Sequence, residues 1–573
     1  MTYKEQMDKW LSSDAVDAKT KEEIKAMNDK DAQESFYSYL EFGTAGLRGV
    51  LGAGTNRMNV YTVCHVTQGL AEFIKAKGKD AMERGVAISY DSRHGSTLFA
   101  EETAKVLGAN GIKVYLSDSL RPVPELSFAV RHFETIAGVM ITASHNPAKY
   151  NGYKVYGEDG GQMPPENADI VLGYINNTDI FGDVKSDDLD KLINKGLVVK
   201  FGGELDRAFI DNVKKQQIHP GIFEKAEDFK VVYTPLHGSG NIPVRMVLNE
   251  IGVKNVILVE QQLDPDGSFS TVKSPNPENK EALTLAIQLA KKHDADLAFG
   301  TDPDCDRVGT AVKDKNGEYI TLTGNMIGAL LTHYILSGRK ANGTLPDNGI
   351  VVKTIVTTYM TDTICRDFGV DVENVLTGFK FIGEKMNGYQ ANGDYTYLLG
   401  FEESYGYLSG MHARDKDGVE ASMLITEMAA YYKTKGMNLY DALMELYAKY
   451  GTYRERTIAL TFEGIEGAGK IKAITAGIRK NPPKEIVGMK VLALSDYAER
   501  VRKDFVTGEQ TAITLPKADV LLFELENNAW VAVRPSGTEP KIKFYIGVNE
   551  NSVSEAEAKI DEAFAFINKK FLV

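Results

Sequence analysis

The chain has 573 residues, with 66 Lys+Arg against 79 Asp+Glu and a formal net charge of −13. At roughly 150 residues per domain this length allows about four domains, and 43% hydrophobic with 25% charged residues excludes collagen-like, disordered and disulfide-stapled classes. The acidic balance argues against a nucleic-acid or membrane-surface binder, which needs a basic field, but leaves room for a local basic pocket.

The opening stretch MTYKEQMDKWLSSDAVDAKTKEE is charged and has no apolar core, so it does not read as a signal peptide. It reads as an exposed helix or two ahead of the first domain. No window approaches 18 apolar residues, and no membrane span is expected. Cys64, Cys305 and Cys365 are far apart with no CxxC. A zinc site or disulfide framework is therefore not expected, and a reducing cytoplasm fits.

A repeat of pattern follows. VAISY (86–90) ends at the loop DSRHGS, then come a helix over Ser96–Ala109, the strand KVYLS, a helix over Val123–Arg131 and the strand AGVMITAS (137–144). The same βαβαβ order recurs from KVVYTP through NVILVE to ADLAFG (295–300), with helices near Val244–Glu250 and Asn279–His293. It recurs again from GIVVKTI through VENVL to YTYLLGF (395–401), with helices near Thr358–Phe368 and Phe381–Ala391. Near-continuous Val/Ile/Leu runs alternating with helices predict α/β domains with largely parallel sheets covered on both faces. From Tyr453 the pattern changes. TIALTFE, AITLP, DVLLFEL, AWVAVRP and KIKFYIGV are strands with few helices between them, and Val553–Phe571 is a closing helix. This quarter predicts an α+β domain with an antiparallel sheet. The expected boundaries are 1–205, 206–322, 323–450 and 451–573, and the three repeats, each ending in a polar loop at the same relative place, suggest one shared cleft.

Open parallel sheets bind ligands beyond their carboxyl ends, so the loops after the last strand of each repeat are the candidates. TASHNP (142–147) offers Ser144 as a hydroxyl nucleophile or phosphate carrier beside His145; with neither a placed Asp nor a GxSxG elbow, it is not a protease-like triad. GTDPDCDR offers Asp302, Asp304 and Asp306. Alternate residues of an extended chain project to one side, and three carboxylates there call for a hard divalent ion such as Mg²⁺. An EF-hand is excluded because its sixth position is Arg307 and its twelfth Lys313. GFEESYG offers Glu402 and Ser404 to grip sugar hydroxyls, and GFKFIG adds Lys380. RPSGTEPKIK (534–543) has the composition of a phosphate cradle: Arg534, Lys541 and Lys543 with the hydroxyls and backbone N–H groups of Ser536, Gly537 and Thr538. Two look-alikes fail. HGSGNIP has Pro243 where a dinucleotide fingerprint needs its third Gly, and GIEGAGKI has Ile471 where a P-loop needs Ser or Thr.

A nucleophile, a metal triad, a sugar loop and a phosphate cradle suggest phosphoryl transfer on a sugar phosphate. TASHNP, DxDxDR, the EES loop and RPSGTEP occur in this order in the α-D-phosphohexomutase superfamily. With EFGTAGLRG (41–49) near its start, the chain resembles the phosphoglucomutases of the phosphopentomutase-like branch over nearly its whole length. The resemblance implies four domains around a central cleft, and an isomerase that carries a phosphoserine at Ser144. Mg²⁺ would be held by Asp302, Asp304 and Asp306 together with the Ser144 phosphate. Arg307, Glu402 and Ser404 would contact the sugar, and Arg534, Ser536, Gly537 and Thr538 the distal phosphate. Arg48 and Lys154 would serve the reaction centre, with His145 a further candidate for proton handling. A bisphosphorylated sugar, glucose 1,6-bisphosphate, would be intermediate and activator. In one departure, Ser404 is followed by Tyr405 and Gly406 rather than Gly-His, which argues against phosphomannose and phosphoglucosamine specificity. Glucose 1-phosphate/glucose 6-phosphate interconversion is therefore expected, with phosphopentomutase or phosphomannomutase activity as the alternative and a sugar phosphatase, suggested by DPDCD, further behind. The expected partner is a small sugar phosphate, held in a positive cleft of an otherwise negative surface, and neither nucleic acid nor membrane.

Overall fold

The computed structural model describes residues 1–43, 46–462, 464–535 and 541–572. The chain forms two compact units. The first comprises Met1–Thr323, Ile382–Gly393 and Ser404–Asn438; the second comprises Gly324–Phe381, Asp394–Glu403 and Leu439–Val573.

The first unit opens with three helices, Tyr3–Ser12, Ala18–Ala26 and Asp29–Phe36. Thr2, Asp17 and Asn28 cap them by accepting the backbone N–H of Glu5, Thr20 and Asp31. This segment is not merely exposed, as its charge suggested. Trp10, Val16, Ile24 and Phe36 are buried on its inner faces with Ala53 and Ile180, and the Trp10 ring meets Phe36, Tyr61 and Phe181 edge-on.

The first sheet contains β1 (Gly46–Val50), β2 (Val86–Tyr90), β3 (Val114–Ser117), β4 (Ala137–Ile141), β5 (Tyr150–Gly157) and β6 (Val198–Phe201), in the order β1-β5-β4-β2-β3-β6. The second contains β7 (Lys230–Thr234), β8 (Asn255–Leu258), β9 (Leu297–Thr301), β10 (Val308–Lys313) and β11 (Tyr319–Leu322), in the order β11-β10-β9-β7-β8. The expected parallel centres are present: β2 runs parallel to β3 and β4, and β7 to β8 and β9. Each centre is extended on one side by antiparallel strands. β5 returns antiparallel to β4 and also pairs with β1; β10 returns antiparallel to β9. TASHNP and GTDPDCDR therefore sit in hairpin connections, not ahead of crossover helices. A hairpin permits a short connection between neighbouring strands.

In the second unit β12 (Gly349–Thr354) lies between β13 (Asp371–Val375) and β14 (Thr396–Phe401), all parallel. The chain then returns to the first unit as a strap that carries the short β15 (Tyr407–Leu408) and the helix Gly418–Lys433. That helix is buried along nearly its whole length and packs against the helices Gly203–Lys214 and Asn241–Glu250.

The last sheet, in the second unit, is antiparallel. It contains β16 (Thr452–Thr461), β17 (Glu485–Ile486), β18 (Met489–Asp496), β19 (Val501–Asp504), β20 (Gln510–Ala512), β21 (Leu521–Leu525), β22 (Trp530–Pro535) and β23 (Lys541–Glu550). Its order is β16-β23-β22-β21-β18-β19-β20, with β17 on β18. AITLP contributes only Ala512 to a strand; Pro516 cannot donate to a ladder. The closing helix runs Val553–Ile567 and then widens into a π turn. An unexpected helix, Gly464–Lys480, contains the GIEGAGKI look-alike, so that stretch forms no phosphate loop. Among the described residues no helix is long and apolar enough to cross a membrane, and Cys64, Cys305 and Cys365 are all free thiols.

Trp10 is fully buried in the cluster where the N-terminal helices pack on Ala53 and Ile180 of the first unit's body. Trp10→Ala is expected to cost about 3–5 kcal/mol, read as a lowered or split thermal transition. An unchanged melt would count against this anchoring.

Candidate active site

The loop between β9 and β10 folds as a tight turn. Cys305 N–H donates to the Asp302 carbonyl at 2.9 Å, and Cys305 adopts φ 50°, in the left-handed region. Asp302 Oδ1 then accepts the backbone N–H of Asp306 at 3.0 Å and of Arg307 at 3.1 Å. The three carboxylates thus converge because the chain turns, and not by extended alternation as the spacing suggested. All three are buried, with ligand oxygens within 4.8 Å of one another.

Two unit charges about 4 Å apart at an effective dielectric near 20 repel by roughly 4 kcal/mol, so the site needs cations. Lys154, on β5, places Nζ 2.9 Å from Asp304 Oδ2. Lys416, on the strap, places Nζ 3.0 Å from Asp306 Oδ2 and 2.8 Å from Asp415 Oδ1. Burial opposes the charge on Lys154, but Asp304 and Asp306 outweigh it and hold the ammonium above the usual lysine range. Burial, with Asp304 and Asp306 beside it, pushes Asp302 well above the usual carboxylate range. Against its own burial, Asp304 is drawn below that range, chiefly by Lys154. Asp304 Oδ1 and Asp306 Oδ1 are buried and accept no hydrogen bond from the described residues. Three hard oxygen donors with two orphaned lone-pair sites fit a divalent cation such as Mg²⁺.

Ser144 faces this turn. Its Oγ donates to Asp302 Oδ2 at 3.1 Å and lies 3.1 Å from His145 Nδ1. Its backbone is left-handed at φ 53°, an uncommon state for a residue other than Gly, Asn or Asp. Ser144 N–H donates to Thr142 Oγ1 at 2.8 Å, and the Thr142 hydroxyl donates to the buried Asp91 at 2.6 Å. His145 is held well below the usual imidazole range, first by desolvation and then by Arg307, with Arg48 and Lys154 adding to it. Arg48 is exposed on β1, opposite Gly152 of β5. Arg307 pairs with Glu278.

The second unit carries other candidates. Glu402, at the end of β14, accepts the Gly378 N–H at 2.9 Å, and Glu403 accepts the Thr354 hydroxyl at 3.2 Å. Lys380 lies in the helix Phe379–Asn392 with Nζ 5.0 Å from the Phe381 ring centre. Arg534 of β22 stands directly across from Lys543 of β23, so the two share a sheet face; Lys541, two residues before Lys543, lies on the same face. Both Glu402 and Glu403 raise the buried Tyr545 phenol after the larger effect of its desolvation, and Arg534 donates to that phenol at 3.4 Å. The carboxylates of Glu402 and Glu403 and the basic strand pair therefore lie close together within this unit. Ser536, Gly537 and Thr538 lie outside the described residues. Ser404 is half-buried in the first unit, at the start of the strap.

Sequence reasoning missed Lys416, Asp415, Asp91 and Arg93. The runs RDKDG and DSRHGS carried the signal, as charges at a strand end or ahead of a helix. The strap has its own anchor in His412, Asp417 and Glu420. His412 Nε2 lies 2.8 Å from Asp417 Oδ2, Asp417 caps the helix Gly418–Lys433, and Glu420 accepts the Ser409 N–H with both oxygens at 3.1 Å. HGSGNIP, the dinucleotide look-alike, braces the metal turn: the Ser239 N–H and hydroxyl both donate to the Pro303 carbonyl at 2.8 Å, and a Cβ on Gly238 would come within 2.4 Å of Pro303 Cα.

Phosphoryl-transfer chemistry on a chain of several α/β sheets is the class this fold and site define, and the comparisons agree. Family models for phosphoglucomutase/phosphomannomutase match residues 39–180 (α/β/α domain I), 207–317 (domain II), 323–450 (domain III) and 495–565 (C-terminal domain). The phosphoglucomutase of Staphylococcus haemolyticus is 39% identical over 92% of this chain and 94% of its own. That of Staphylococcus aureus strain USA300 is 38% identical over 97% and 98%. The chain belongs to the phosphoglucomutase/phosphomannomutase family and is a phosphohexomutase-type isomerase. At the level of fold it is similar to pp63/parafusin of Paramecium in its open form (TM-score 0.67, 18% identity, 92% of this chain and 94% of that one). It is also similar to a family protein of Burkholderia thailandensis (TM-score 0.63, 18% identity, 92% and 97%).

Because the triad is strained by its own charge, Mg²⁺ is expected to raise the melting temperature. Binding at 100 times the Kd stabilises by about 2.7 kcal/mol. EDTA should reverse the shift and Asp302→Asn should abolish it; a melt indifferent to Mg²⁺ would remove the triad as a cation site.

Proposed function

We propose that this enzyme interconverts glucose 1-phosphate and glucose 6-phosphate through a phosphorylated Ser144 and glucose 1,6-bisphosphate, which also activates it. The observation that carries the reading is the Ser144 hydroxyl, aimed by a left-handed backbone at Asp302 within a buried triad of carboxylates. The relatives named above as phosphoglucomutases support glucose as the sugar, as does Tyr405-Gly406 in place of Gly-His after Ser404.

In this mechanism the P–Oγ bond of phosphoSer144 breaks as a P–O bond forms to one sugar hydroxyl. The bisphosphorylated sugar reorients, and its other phosphate returns to Ser144 Oγ. Asp302, Asp304 and Asp306 would hold Mg²⁺ with the Ser144 phosphate. When bound, that ion supplies charge stabilisation to the transferring phosphoryl group. Arg48, Lys154 and Lys416 supply further positive charge at the reaction centre. The sugar hydroxyl gives up its proton as its O–P bond forms and Oγ takes one up as P–Oγ breaks; His145, 3.1 Å from Oγ, is placed to hand that proton to Oγ and to take it back on the return transfer. Arg307, Lys380, Glu402 and Ser404 would orient the sugar. Arg534, Ser536, Gly537 and Thr538 would hold the phosphate that is not reacting, which supplies positioning. In this scheme residues 1–205, 206–322, 323–450 and 451–573 act as phosphoserine, metal, sugar and phosphate domains of a cytoplasmic enzyme.

Turnover compared on glucose, mannose and (deoxy)ribose phosphates tests the substrate; a large preference for a pentose phosphate would overturn glucose. Ser144→Ala is expected to lower isomerisation by at least ~10⁴-fold, as removal of a nucleophile does, and to lose one phosphate in intact-mass analysis. Full activity in this variant would sink the mechanism.

A further inference from the structure

Arg93 stands in the DSRHGS loop after β2, and the mechanism above does not use it. Its side chain is fully buried. Nη2 donates to the carbonyls of Ser144 and Asn146, and Nη1 donates to those of Pro147 at 3.1 Å and Tyr150 at 3.0 Å. A guanidinium has four N–H donors on its two terminal nitrogens, fixed in one plane, and here four carbonyls of the phosphoserine loop converge on those two nitrogens. Nε lies 3.3 Å from Asp91 Oδ2, and Asp91 also holds the Thr142 hydroxyl that receives the Ser144 N–H. Arg93 and Asp91 thus grip both sides of the residue whose left-handed backbone aims Oγ.

The guanidinium plane is set from the neighbouring sheet. Phe269, buried and itself left-handed at φ 48°, places its ring 4.9 Å from Arg93 Cζ. Its loop is fixed by Asp266, which accepts the N–H groups of Ser268 at 2.8 Å and Ser270 at 2.9 Å, and by Thr271, 2.8 Å from His237 Nε2. His237 lies two residues before Ser239, which holds the metal turn through Pro303. One chain of contacts therefore runs from the turn carrying Asp302 through Phe269 and Arg93 to the Ser144 carbonyl.

We propose that Arg93, stacked on Phe269, is a positioning residue that sets the Ser144 loop in register with the metal turn, so that Oγ meets Asp302. This rests on the phosphoserine reading above. Lysine keeps the charge of arginine but offers its donors from a single point, so it cannot serve four carbonyls spread over seven residues. A misplacement of about 1 Å at a reaction centre costs on the order of 10²-fold in rate.

The test is steady-state isomerisation of glucose 1-phosphate by wild type, R93K, R93A and F269L, with thermal melts and hydrogen exchange on the same samples. Expected are a ~100-fold lower kcat in R93K with KM changed only a few-fold, a smaller kcat loss in F269L, and partial recovery of R93A by added guanidinium. Exchange in the 142–152 segment should accelerate in R93K while that of β2 and β4 does not. R93K with wild-type kcat, or with its loss confined to KM, would overturn the proposal. So would unchanged exchange in that segment, a readout that needs no activity. If R93K and R93A fail to fold, F269L, which leaves every hydrogen bond donor in place, decides by the same two readouts. An inactive wild type would count against the mutase reading and leave the exchange result to judge Arg93.

Discussion

The mutual repulsion of Asp302, Asp304 and Asp306 is the constraint around which the first unit is arranged. Buried charges are screened little by salt, so the protein answers them with other buried groups. Lys154 comes from a strand of the first sheet and Lys416 from a strap that returns after the third. The strap is tied by Asp417 and Glu420 to backbone N–H groups, and its helix is enclosed nearly all round. Asp304 Oδ1 and Asp306 Oδ1 are still left without a hydrogen bond among the described residues, an arrangement that suits a hard divalent ion.

Convergence of this kind needs short, strained connections. Both reactive loops join antiparallel neighbours, β4 to β5 and β9 to β10. Ser144 and Cys305 each take a left-handed backbone there. Such conformations persist only where the surroundings over-determine them. The surroundings are visible: Asp91 and Thr142 on one side of Ser144, and the Ser239–Pro303 brace and a glycine with no space for a Cβ beside the metal turn.

The second unit carries different chemistry. Its parallel strands end at Glu402 and Glu403, and its antiparallel sheet brings Arg534, Lys541 and Lys543 to one face, with Tyr545 between the acidic and basic groups. Acceptors and cations are thereby gathered side by side within one unit. A net charge of −13 conceals it, because net charge records totals and not where the cations gather.

The amino-acid sequence by itself determined the repeated βαβαβ order, the change of architecture near Tyr453 and the loops that bear Ser144, Asp302 and Glu402. Hydrophobic period and loop composition are local properties, and local properties survive in one dimension. It could not determine that β5 and β10 turn back, because an apolar run has the same appearance in either direction. Nor could it bring Lys416 to Asp306 or Arg93 to the carbonyls of residues 144–150. Those partners lie tens to more than a hundred residues apart, and only tertiary packing, which buries the charges and so compels them to find one another, decided which would meet.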